Sequence, residues 1–210
     1  VGTNLSLYDN PFESEFSKSC RKNIRRALRK GVTYRIIEHP NDMSVFKKIY
    51  YLILQRNIAD DFYYFDDNYF QQCIKLFRKN IILVEAIYNK QVIAMGLYFI
   101  YKNMIHAHLS GTLREYISLS PAYILRYAIT LWGKENGYDL IHHGGGRTNS
   151  ADDKLYIFKK QFGKNTSFKF YIGKKIWNDE IYKKLCEFVR VKPNIEFFPA
   201  YRYKHSNRRV

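Results

Sequence analysis

The sequence predicts an α/β (α+β) fold, a mixed sheet with helices on both faces, in which an antiparallel meander is followed by β-α-β units. Two observations carry this expectation. Residues 81–112 read as three strands joined by tight turns at Asn89-Lys90 and Lys102-Asn103. Around them, strand and helix periods succeed one another in the order β, α, α, β, β, β, α, β, α, β. With 210 residues, 46% of them apolar and 17% aromatic, the chain is long enough to bury a sizeable core and too apolar to be disordered.

The first element is "FSKSCRKNIRRALRKGV". At 100° per residue, Lys18, Arg21, Lys22, Arg25, Arg26, Arg29 and Lys30 fill one half of a helix. Phe16, Cys20, Ile24, Ala27 and Leu28 fill the other, and Gly31 ends it. "VTYRIIEHP" is a short strand stopped by Pro40, and Asn41 or Asp42 caps the next helix, with Phe46, Ile49, Tyr50, Ile53 and Leu54 at helical period. After the loop "NIADDFYYFDD", a second helix carries Tyr69, Phe70, Cys73, Leu76 and Phe77, and the meander follows. Ser120-Pro121 starts a helix that runs to Gly137, a cap residue before proline at one end and a left-handed stop at the other. The strand "YDLIHH", the loop "GGG", a short helix, a strand "TSFKFYIGKKI" and a helix "NDEIYKKLCEFVR" complete the pattern. From Pro193 the chain reads as an extended basic and aromatic tail ending in "KHSNRRV". The expected division is a basic connecting helix over 1–31, one domain over 32–192 and the tail over 193–210.

Formal net charge is +16, from 35 Lys and Arg against 19 Asp and Glu. Such an excess favours a polyanionic partner: nucleic acid, a phosphorylated cofactor or an anionic membrane surface met from one side. The competing reading is a solvated basic surface. Seven cations on one helix face repel one another unless an anion answers them, so that face is the nucleic-acid-binding candidate. Cys20, Cys73 and Cys186 are far apart, without metal or disulfide spacing. No apolar run approaches a membrane span and the residues given contain no signal peptide, so the expected compartment is the cytoplasm; a start at Val1 is what a fragment would show.

The chemistry concentrates in "HHGGGRTNSADDKLYIFKKQFG". Leu155, Phe158 and Phe162 share one helical face, and Lys159 lies inside that stripe. A desolvated ammonium has a strong field and a movable pKa, whereas a lysine at the edge of a stripe simply snorkels to water. Gly144, Gly145 and Gly146 follow a strand end, where open α/β sheets place ligands, and Arg147 adds charge. The same glycines would serve a turn that needs positive φ. Ser120, at a helix N-terminus that can meet an anion, and Arg126 on the same helix are further substrate-binding candidates. His106 and His108 share a strand face, and His142 and His143 end another strand. No Glu or Cys at ligand spacing accompanies them, so no metal is expected, and His108 is a candidate proton relay.

The element order is that of the GNAT acyltransferase fold. Four segments, "SCRKNIRRALRKGV", "MIHAHLSGT", "SPAYILRYAITLWGKENGYDLIHHGGG" and "DDKLYIFKKQFG", together resemble the Fem-type aminoacyltransferases, the GNAT-related enzymes that build peptidoglycan cross-bridges from aminoacyl-tRNA. The resemblance runs from about Ser17 to Trp177. It implies that Phe158 and Lys159 lie at the acyl-transfer centre, and that the chain corresponds to the second of two GNAT-like domains. It also implies aminoacyl-tRNA as donor, no separate cofactor, and an amine of a peptidoglycan or other cell-envelope precursor as acceptor. An acyl-CoA N-acetyltransferase acting on a sugar nucleotide or surface-polysaccharide precursor is the alternative. Against it, "SGTLREYISLSP" has only Gly111 where the coenzyme A loop R/Q-x-x-G-x-G/A belongs. A non-catalytic domain that binds tRNA or a protein is the third reading.

Overall fold

A computed structural model of the chain describes residues 1–148 and 150–203. Its centre is the expected meander: β3 (Ile81–Tyr88), β4 (Gln91–Tyr101) and β5 (Met104–Thr112), each antiparallel to the next. Asn89 and Lys90 both take positive φ, the geometry that joins two right-twisted strands through two residues. The first six residues of β3 are all buried, as a strand covered on both faces requires. Flanking strands extend the sheet to β1 (Gly2–Asn4), β6 (Leu140–His142), β5, β4, β3, β2 (Thr33–Glu38), in that spatial order. Only β5 and β6 run parallel.

Two cores lie on the two faces. On one, Ile82, Val84, Tyr98, Ile105 and Ile141 meet α1 (Pro11–Glu15), α2 (Lys18–Arg29) and α5 (Pro121–Glu135) through Phe12, Cys20, Ile24, Ile124, Leu125 and Ala128. On the other, Ile81, Leu83, Met95 and Leu97 meet α3 (Ser44–Arg56) and α4 (Asp67–Phe77) through Phe46, Ile49, Tyr50, Phe70 and Cys73. Alternation along the strands sends successive side chains to opposite cores.

Three expectations change. The segment 166–176 forms no strand. Its Phe170, Tyr171 and Ile172 are 86%, 80% and 78% exposed, and the place beside β6 is taken by Gly2–Asn4. An alternating pattern specifies a strand only where a free edge can pair with it. Second, α2 is a wall of the first core and not a connector, with Cys20, Ile24 and Ala27 sealed beneath it. Third, the compact units divide after Phe168, not at 31/32 and 192/193. The second unit is built on α7 (Asp179–Phe188), whose Tyr182 and Cys186 are buried with Ala200. The Ala200 N–H donates to the Tyr182 hydroxyl (2.8 Å), and Phe198 stacks on the Tyr182 ring. Residues 193–203 therefore fold back on α7 instead of trailing away; "KHSNRRV" from Lys204 lies outside the described residues.

Candidate active site

The parallel pair is short. Met104, Ile105 and His106 pair with Leu140, Ile141 and His142, and there β6 stops while β5 continues beside β4 to Thr112. The glycine loop leaves from this point. Gly144 takes φ +77°, which a side chain would resist. The loop is then gathered by one carboxylate. Asp153 caps α6 (Lys154–Lys160), accepting from the Tyr156 N–H (2.8 Å) and from the Arg147 N–H (2.9 Å), the Thr148 N–H (3.0 Å) and the Thr148 hydroxyl (3.2 Å). Those donors, led by Tyr156, hold its pKa down to about 2. A Cβ on Gly146 would stand 2.5 Å from the Asp153 carboxylate. The glycine run thus serves the chain itself first: Gly144 for its dihedral and Gly146 for close approach of Asp153. The N–H groups of Gly144, Gly145 and Gly146 carry no protein hydrogen bond among the described residues. The Arg147 side chain is exposed.

Lys159 reaches back from α6 to this loop and donates from Nζ to the Gly145 carbonyl (2.7 Å). Burial, with the Arg126 guanidinium adding to it, lowers its pKa to about 8, while Asp153 acts in the opposite direction. A snorkelling lysine would escape both influences. Phe162 is fully buried, and Phe158 packs edge-on against Tyr123 and Phe162. Leu155 departs from the expected stripe: it is 37% exposed, because α6 ends at Lys160 and only its last turn meets the core. Gly163 lies just beyond the end of α6. A Cβ there would fall 1.8 Å from the Gly2 carbonyl, so its place is fixed by the passage of β1.

Arg126 is the cation that acts on Lys159. It is 8% exposed, donates from Nη1 to the Tyr98 hydroxyl (2.8 Å), and its charge bears on Lys159, His106 and His143. Ser120, expected as a cap, takes φ 55° and makes no side-chain capping bond. His106 and His142 stack with Nδ1 atoms 3.2 Å apart; burial is the first cause of both lowered pKa values, and Lys159 contributes to each. His143 is buried against Thr3. Thr3 Oγ1 donates to the Phe162 carbonyl (2.6 Å), so it accepts from His143 Nε2 (2.8 Å), which leaves Nδ1 as an acceptor without a partner among the described residues.

His108 is placed differently from expectation. Its Nε2 lies 2.7 Å from the Tyr69 hydroxyl, and its ring packs on Phe99. Burial and then His106 push its pKa down to about 4, while desolvation raises that of Tyr69. Tyr69 is therefore the donor and His108 the neutral acceptor. Lys159 is not among the charges acting on His108. Among the described residues, no group of three His, Cys, Asp or Glu side chains is arranged to hold a metal.

The basic face of α2 is answered in part from within. Glu13, on α1, pairs with Arg21 (3.1 Å) and Arg25, and Arg25 also lies over the Phe12 ring. Lys18, Lys22, Arg26, Arg29 and Lys30 form no ion pair among the described residues. With the two paired arginines, Lys18, Lys22 and Arg29 line a shallow concavity of about 340 Å³. Glu13, Tyr98 and Thr3 shape these groups and carried no motif signal of their own, and Tyr69 stood out only as one residue of a helical stripe.

The chain matches the family model described as acetyltransferase (GNAT) domain over residues 14–155. It is 24% identical over 188 residues to the UDP-N-acetylmuramoylpentapeptide-lysine N(6)-alanyltransferase of Weissella viridescens, covering 88% of this chain and 52% of that protein. It therefore spans about half the length of that relative. FemX superposes on it with a TM-score of 0.63 at 13% identity, covering 77% of this chain and 57% of its own. The C-terminal domain of a putative lysylphosphatidylglycerol synthetase from Agrobacterium fabrum gives 0.57 at 14% identity over 77% and 55%. An aminoglycoside acetyltransferase from a soil metagenome gives 0.51 at 12% over 69% and 97%. No helix among the described residues is long and apolar enough to cross a membrane. By fold and by the match across most of its first unit, the chain belongs to the acetyltransferase (GNAT) domain family, within which it is similar to Fem-type aminoacyltransferases.

Proposed function

We propose that the chain carries the acyl-transfer centre of a Fem-type enzyme, moving an aminoacyl group from aminoacyl-tRNA to an amine of a peptidoglycan or other cell-envelope precursor. The observation that carries the reading is Lys159: an ammonium drawn out of water, tied by one N–H to the Gly145 carbonyl at the open end of the parallel pair. The other two N–H groups remain for a ligand. As the acceptor amine attacks the ester carbonyl, a C–N bond forms and negative charge gathers on the carbonyl oxygen, where a fixed cation lowers the barrier. Collapse breaks the C–O bond to the ribose, whose oxygen leaves with a proton. The amine gives up one proton, and the neutral His106–His142 pair, in the field of Lys159, suits that role better than His108. Phe158, packed beside Lys159 on the same short helix, helps to keep water out. The unpaired cations of α2 suit the phosphates of the tRNA. A donor of this kind places the reaction in the cytoplasm and requires no further cofactor. The family description and the aminoglycoside acetyltransferase fold support an acyl-CoA donor as the second reading.

The test is Lys159→Met in the full chain, assayed with charged tRNA and with acetyl-CoA. Removing one oxyanion donor lowers turnover on the order of a hundred- to a thousand-fold. Substrate affinity changes little, because the charge exists only in the transition state. Normal turnover in a folded Lys159→Met protein removes the residue from the mechanism. Wild-type transfer from acetyl-CoA and from no charged tRNA replaces the donor.

A further inference from the structure

Arg126 is a charged side chain more than nine-tenths buried, and among the described residues it has no carboxylate partner. Among the described residues its one side-chain hydrogen bond goes from Nη1 to the Tyr98 hydroxyl, and the guanidinium lies 5.4 Å from the centre of the Tyr98 ring. Nε and Nη2, which form the other edge of the fork, meet no acceptor among the described residues. Besides the Tyr98 phenol, the groups it acts on are basic: Lys159, His143 and His106. The acidic group acting on Lys159, Asp153, is already engaged by three donors of the loop and one of α6. A buried cation without a counter-charge is costly, and so is a second one acting on it. Both costs fall when an anion is held there.

We infer that the Nε–Nη2 edge of Arg126 is a binding site for a planar or tetrahedral oxyanion, a carboxylate or phosphate group of the substrate. Arginine suits this because its fork meets two oxygens of one group at once, while a lysine offers a single point of charge. Tyr98 fixes the fork by holding Nη1 from behind, so the open edge keeps one orientation. The site would fix the anionic end of a substrate at a set distance from Lys159. A neutral analogue lacking that group would then be discriminated against at Arg126 and not at the reacting carbonyl. The inference rests on the reading that substrate binds here, though not on which acyl group is transferred.

Titration of the full chain with sodium phosphate, and separately with sodium acetate, at constant ionic strength tests this without turnover. The readout is the Arg126 Nε–H resonance in ¹⁵N–¹H spectra. A saturable shift of that resonance is expected, and the tighter of the two anions names the group, phosphate or carboxylate. Arg126→Lys keeps a cation but loses the two-pronged edge, and the affinity read by thermal melting should fall at least about tenfold. Should that variant fail to fold, the wild-type resonance alone decides. No shift at Arg126 with either anion, or a response confined to the arginines of α2, overturns the inference. Undiminished affinity in folded Arg126→Lys does the same. An intact Arg126 response in a chain that transfers nothing from charged tRNA sinks the proposed function and leaves this site standing.

Discussion

The protein holds two concentrations of positive charge, and they are built in opposite ways. On α2 the charge is plentiful and wet: Lys18, Lys22, Arg26, Arg29 and Lys30 are exposed, and Glu13 ties down the two arginines that bend toward α1. At the end of β6 the charge is sparse and partly withdrawn from water: Arg126 is buried, Lys159 is half-buried, and the loop has already used the carboxylate of Asp153. Exposed charges are screened within about 8 Å at physiological salt, so α2 acts as a sum over many weak contacts. Charges drawn out of water act singly and strongly. The first arrangement suits a long polyanion met in several registers, the second a small group held in one.

That contrast is sharpest in its response to pH. With a folded pKa of about 8, Lys159 is charged at pH 7 and loses its proton across the range in which enzymes are still assayed. The rate advantage of wild type over Lys159→Met should therefore fall toward tenfold per unit above pH 8. Taking the ratio cancels the titration of the acceptor amine, which both proteins share. A ratio unchanged from pH 7 to 9 breaks the oxyanion role. Stability should move with the opposite sign. A lysine whose folded pKa lies below its unfolded value of about 10.4 destabilises the fold while both states bind the proton. That penalty is full below pH 8 and disappears as pH rises toward the unfolded value. Lys159→Met should thus melt higher than wild type at pH 7, with the difference closing above pH 8.

The α2 face should show the behaviour of a wet array. Reversing Arg26 and Arg29 to Glu should reduce the slope of log K for tRNA against log[salt] by about 1.4 to 1.8, at 0.7–0.9 per phosphate contact. Melting should be little changed, since neither forms an ion pair among the described residues. Arg21→Glu is a poor probe of the same idea. Its guanidinium also serves the Glu13 and Phe16 carbonyls, so that variant would lose fold and charge together. An unchanged slope in the double reversal makes the face a solvated surface and removes the polyanion from the comparison.

How much of this was legible follows the same division. Periodicity found α2, the meander, α5 and the Lys159 helix because each repeats over two or more turns or strand pairs. β1 escaped because three residues, Gly2–Asn4, are too few to show a period, yet they take the place beside β6. The glycine run was visible as a motif, but its use was not: Asp153 claims it through contacts that only folding creates. Arg126 stood in plain sight between Leu125, Ala128 and Ile129, a cation on an apolar helix, and that mismatch was the available signal. His108 reads in the sequence as a polar residue within a strand, and nothing local marks Tyr69, 39 positions away, as its partner.

His108 gives the smallest expected effect and separates a structural histidine from a working one. His108→Leu keeps the bulk of the side chain and removes the acceptor of the Tyr69 hydroxyl. A part-buried donor left without an acceptor costs about 1–3 kcal/mol, so melting should fall measurably. Tyr69→Phe on top of it removes the stranded donor, and since replacing both partners by apolar groups is nearly neutral, the double variant should recover most of the loss. Turnover should change by less than about twofold throughout, because the histidines that share the field of Lys159 are His106, His142 and His143. A proton relay at His108 predicts something else: a loss on the order of a hundred- to ten-thousand-fold that Tyr69→Phe does not repair. Recovery of stability without any change in rate would assign the pair to the α3 and α4 side of the sheet and leave the chemistry to the end of β6.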